Sequence, residues 1–97
     1  MNVGVCRVEL RLLGNQSLKG KRRAVRLIVT RLRNSYNVSV AEVGNQGLWW
    51  LATLGMICVT HHRRRADEVL SSVVRFVAQG YPDLELLGSG IEISPAF

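Results

Sequence analysis

The chain has 97 residues, 47% of them hydrophobic, and a formal net charge of +6, with a pI near 10.4. That length excludes a second domain, since a shorter piece could not hold a core of its own, and the composition is that of an ordinary globular chain. The basic balance favours nucleic acid or an anionic surface as partner, although many small basic proteins bind neither.

Val3 to Leu12 alternates, with Cys6, Val8, Leu10 and Leu12 on one side and Arg7, Glu9 and Arg11 on the other. This predicts a strand with one solvated face. Gly14-Asn15-Gln16 reads as a loop and Ser17 as the N-cap of a helix running to Tyr36. Asn37 to Val43 is a second strand, Gly44 to Gly47 a turn, and Ala52 to Thr60 a third strand. That third strand is apolar on both sides, with Ile57 and Val59 opposed to Leu54, Met56 and Cys58. A second helix spans Arg63 to Ala78, with Ala66, Val69, Leu70, Val73, Val74 and Val77 as its stripe, and Gly80 and Pro82 end it. Leu84 to Ile93 is a last strand, bulged around Gly88-Ser89-Gly90, and Ser94 to Phe97 is expected to be a loose tail.

The order βαββαβ predicts an α+β, ferredoxin-like sandwich: a four-stranded antiparallel sheet with both helices on one face. The N-terminus shows no secretory signal. The longest apolar run, Leu48 to Val59, is far short of the ~20 residues of a membrane span. Cys6 and Cys58 have neither metal spacing nor a CxxC pattern and read as buried thiols of a reducing, cytoplasmic compartment.

Charge is distributed unevenly. Between Leu10 and Ala41 lie Arg11, Lys19, Lys21, Arg22, Arg23, Arg26, Arg31 and Arg33, and no acid. On the first helix Lys19, Arg22, Arg23, Arg26 and Arg33 project within an arc of roughly 100°. Leu18, Val25, Ile28, Val29, Leu32 and Tyr36 fill a separate arc, so the helix can bury one stripe and show the other. Antiparallel helices would bring Arg63, Arg64 and Arg65 up to extend this row.

Ser17-Leu18-Lys19-x-Lys21-Arg22-Arg23, Arg31-Leu32-Arg33, Tyr36 to Val43 and Trp49-x-x-Ala52-Thr53-Leu54-Gly55 together resemble the bacterial YlxP-like proteins, over nearly the whole chain. The resemblance implies a ferredoxin-like fold and no established activity. Genes of that family often lie beside those for translation initiation and ribosome-binding factors, an association with RNA work only. Two departures stand out. Gly20 replaces the usual Glu, removing half of a capping box at about 1 kcal/mol of helix stability, and Leu51 replaces a polar or basic residue.

Other site readings are weaker. Gly14 to Lys21 could cradle a phosphate, but the Gly-rich run ending in Phe-Arg of acylphosphatases is missing. The central strands offer no aromatics for base stacking of the RNA-recognition-motif kind. Adjacent His61 and His62, flanked by arginines, do not make a metal site. The acids form no catalytic constellation, and Glu42 reads as a partner for Arg7 or Lys21. The apolar outer side of the third strand points to a homodimer through Ile57 and Val59, joined by Trp49 or Trp50, unless a tryptophan folds back over them. The sequence thus leads to a protein without cofactor or metal that binds structured RNA or a ribosomal surface. Lys19, Arg22, Arg23, Arg26 and Arg33 would meet phosphates, with Lys21 and Arg63 to Arg65 at the margins. A dimeric regulatory or scaffolding module for a protein or small metabolite is the alternative.

Overall fold

A computed structural model describes residues 1–97. In chain order the elements are β1 (Asn2–Leu12), α1 (Leu18–Ser35), β2 (Ser39–Gly44), β3 (Leu51–Thr60), α2 (Arg63–Gly80) and β4 (Leu84–Pro95). The strands lie in the order β2-β3-β1-β4, every pair antiparallel. This is the expected ferredoxin-like α+β arrangement.

Alternation decides what the sheet buries. Cys6, Val8, Leu10 and Leu12 of β1 face the helices and are buried, as are Leu54, Met56 and Cys58 of β3. Against them pack Ile28 and Leu32 of α1 and Ala66, Leu70, Val73 and Val77 of α2, forming one core. Each fully buried Leu, Ile or Val contributes about 1.5–3 kcal/mol relative to exposure. Tyr36, Phe76 and Tyr81 continue this core as two edge-to-face pairs, with centroids 5.9 and 5.8 Å apart.

Both helix starts follow from local chemistry. The Ser17 hydroxyl accepts from the Gly20 amide at 3.0 Å, the bond an N-cap serine is suited to make. His62 precedes α2 without a side-chain cap, and its carbonyl instead accepts from Arg65 and Ala66.

Two expectations are corrected. The C-terminal tail is not loose: Ser94 pairs with Val3 and Pro95 with Asn2, and Met1 and Ala96 exchange two backbone hydrogen bonds of 2.8 and 3.0 Å. Because β1 is an interior strand, its first residues need partners on both flanks, and residues 94–96 supply one set. The β4 bulge lies just before the glycines. Glu9 faces Gly88 while Leu10 faces Leu86, so Leu87 is the extra residue.

Candidate nucleic-acid interface

Spacings of i, i+3, i+4 and i+7 carry Lys19, Arg22, Arg23 and Arg26 to one flank of α1. All four are exposed, and together they form the whole lining of a shallow cleft of about 200 Å³. None takes part in an ion pair. The cause is compositional, since no acid occurs between Glu9 and Glu42. Like charges at i, i+4 repel, and α1 has no acid in its first turn to offset them. The cleft is therefore a concentrated, uncompensated positive field.

Arg33 is exposed but committed elsewhere: it donates to the Val40 carbonyl of β2 at 2.7 Å. On the other side of α1, the Arg31 guanidinium lies 5.9 Å from the Tyr81 ring centroid. The row thus opens toward the β2 edge of the sheet, away from α2.

Lys21 does not belong to the surface. Its side chain is 1% exposed, with Nζ 3.0 Å from the Glu42 carboxylate and donating to the carbonyls of Asn45 and Leu48. A buried ammonium requires such partners: Glu42 comes from β2, and the two carbonyls from the β2–β3 connection. Of the two cations weighed for Glu42, Lys21 is the one that pairs with it. Arg7 lies 4.0 Å from Glu9.

Arg63, Arg64 and Arg65 do not extend the row either. Arg63 donates to the Ile93 carbonyl of β4 at 2.7 Å, the sheet edge opposite β2, three strand spacings or about 14 Å away. Arg64 and Arg65 lie 3.1 and 3.8 Å from Glu68. Arg65 also borders a separate cavity of about 300 Å³ between Ser35, Asn37 and Thr60.

The proposed dimer residues fall into two groups. Ile57 and Val59 lie opposite Val5 and Val3 of β1, not opposite Arg7 and Glu9, which face Gly55 and Thr53. The outer sheet face therefore carries an apolar quartet, with Val5, Ile57 and Val59 strongly exposed. Trp49 and Trp50 precede β3 at its other end, about 23–26 Å from Ile57 at ~3.3 Å per residue. They neither cover the quartet nor join it.

The tryptophans are instead tied to the start of α1. The Asn15 amide nitrogen donates to the Trp49 carbonyl at 2.8 Å and to the Ser17 carbonyl at 2.9 Å. Gly20 is what admits this side chain, because a Cβ there would collide with Asn15 Oδ1. The departure at Gly20 is thus a fitted contact and not merely a weak first turn.

Elsewhere the chemistry is quiet. No three His, Cys, Asp or Glu side chains come together as a metal-ligating group, and no helix is long and apolar enough to cross a membrane. Burial pushes the Cys6 thiol from 9.0 up to about 11, with the nearby Cys58 adding to the shift, and burial raises Cys58 as well. Both are free and buried, the opposite of a reactive cysteine environment.

Residues 3–90 match the family described as "Protein of unknown function (DUF503)". The chain belongs to that family. Over 83 residues it is 31% identical to the uncharacterized protein YlxP of Bacillus subtilis (strain 168), a match covering 86% of this chain and 89% of that one. The YlxP-like resemblance read from the sequence therefore holds. The DUF503 match spans the cationic cleft, the Asn15 contact and both tryptophans.

Proposed function

We propose that this DUF503 protein binds structured RNA or a ribosomal surface through the cationic flank of α1, without catalysing a reaction. The observation that supports this reading is the cleft lined by Lys19, Arg22, Arg23 and Arg26 with no acid paired to any of them. Contacts of this kind go to phosphates, hold by charge and shape, and carry little base readout. Four phosphate contacts give a log–log salt slope between about −3 and −4.

The test is binding of labelled ribosomal RNA fragments across a salt series, comparing the wild type with Arg22→Glu/Arg23→Glu/Arg26→Glu. Micromolar or tighter binding near physiological salt, abolished in a folded variant, is the expected result. Equal binding by both proteins would reduce the flank to a solvated face.

A homodimer is a second, compatible reading, favoured by the quartet Val3, Val5, Ile57 and Val59 on the face without helices. Arg7 and Glu92 border a groove of about 360 Å³ beside Val5, so the face offers both charge signs to a copy of itself, which suits a self-complementary two-fold contact. Sedimentation of wild type against Ile57→Glu checks it: a wild-type monomer at high micromolar concentration would remove this reading.

A further inference from the structure

Trp49 and Trp50 are the only tryptophans in the chain. They are adjacent, 41% and 40% exposed, and packed edge to face with centroids 5.1 Å apart. Two large rings held half in water are an unusual use of the side chains that contribute most when buried. Their backbone is held in place by three links. Trp49 O accepts from Asn15, Trp50 O accepts from the Leu12 amide at 2.9 Å, and the preceding Leu48 O accepts from Lys21 Nζ at 2.7 Å. Two of these reach the tryptophan segment from the loop and first turn that launch α1. The backbone that carries the two indoles is thereby fixed at the end of the helix where Lys19 and Arg22 begin the cationic cleft.

We propose that Trp49 and Trp50 form, with Lys19 and Arg22, a docking surface for an unpaired nucleotide of RNA, the indole meeting the base while the cations hold the adjoining phosphates. This rests on the RNA-binding reading of α1 and adds to it a preference for loops, bulges or overhangs over uninterrupted duplex. Flat aromatic faces beside a positively charged groove are the combination that unpaired nucleic acid uses, because every base has a π-face and every nucleotide a phosphate. It differs from base stacking on the central strands, which here present no aromatic residue. A second copy of the chain is a poorer occupant: the apolar quartet suited to one lies about 23 Å or more along the sheet, whereas the start of α1 to which the tryptophan segment is tied carries Lys19 and Arg22 with no acid paired to either.

The experiment uses the full chain and two probes of equal length, a blunt RNA duplex and an RNA hairpin with a single-stranded overhang. With the overhang probe, intrinsic tryptophan fluorescence is expected to quench in parallel with binding. Trp49→Ala/Trp50→Ala is expected to weaken the overhang complex about tenfold or more and to leave duplex binding within twofold. Because quenching is read on the unaltered protein, a misfolded variant does not obscure the result. Equal affinity for both probes with unchanged fluorescence would overturn this proposal and leave the α1 reading standing. Binding of neither probe would remove both. Equal quenching and affinity with poly-glutamate of matched charge would assign the surface to an acidic polypeptide and overturn the nucleotide assignment.

Discussion

Lys21 Nζ lies 3.0 Å from the Glu42 carboxylate and joins two loop carbonyls to it, so one buried ammonium fastens α1 to the β2–β3 connection. Replacing it removes the only cation near Glu42 and strands two carbonyls. Lys21→Met is expected to destabilise the fold by about 3 kcal/mol, and Lys21→Met/Glu42→Gln to recover part of that. Denaturant unfolding of the single and double variants measures both. A loss below about 0.5 kcal/mol would show the pair to be ornamental.

Helix propensity favours Ala over Gly by up to about 1 kcal/mol, so Gly20→Ala should stabilise an unconstrained α1. The Asn15 side chain reverses that sign, because the new methyl displaces an amide holding two hydrogen bonds. Gly20→Ala is expected to lose about 1–2 kcal/mol, and the same change in an Asn15→Gly background to gain stability. A stabilised single variant in thermal unfolding would contradict the fitted contact.

Lys19 stands in the first turn of α1, where the helix dipole disfavours cations. Lys19→Glu is expected to stabilise the fold by about 0.5 kcal/mol while weakening polyanion binding. Opposite movements of unfolding free energy and RNA affinity in one protein would mark a position kept for binding at the expense of stability. Parallel losses would mark it as structural.

The thiols give the pH dependence. Folding holds Cys6 protonated up to about pH 11, against 9.0 ordinarily. Its contribution is thus fully present below pH 9, where folded and unfolded chains both carry the proton. It drains away between pH 9 and about 11 as the unfolded chain ionises first, by at most about 1.4 kcal/mol per pH unit. Cys6→Ala is expected to flatten the alkaline limb of stability against pH relative to wild type, and native Cys6 and Cys58 to resist thiol reagents at neutral pH. Rapid labelling of the folded protein would place them outside the core.

Strand alternation and helical periodicity made the six elements and their order legible, and the acid-free interval made the cationic flank legible. The fate of Lys21 was also written there, since it precedes Ile28 by seven residues and Leu32 by eleven and so falls on the buried arc. Charge type obscured it. Sheet register was not legible, because β1 and β3 are separated by a helix and a strand, and no tight turn fixes which residues meet. The pairing of Val5 with Ile57 and of Val3 with Val59 therefore follows only from the folded sheet. The bond from Asn15 to Trp49 spans 34 residues and follows only from three-dimensional placement.

The chain has two lysines, Lys19 and Lys21, and the fold seals one of them away. Every other cation of the exposed cleft is an arginine, which lysine acetylation cannot neutralise. An acetyltransferase would therefore find a single side-chain amine at this surface and could remove one charge in four. The salt slope of binding would fall by about one, with the remainder of the field left standing.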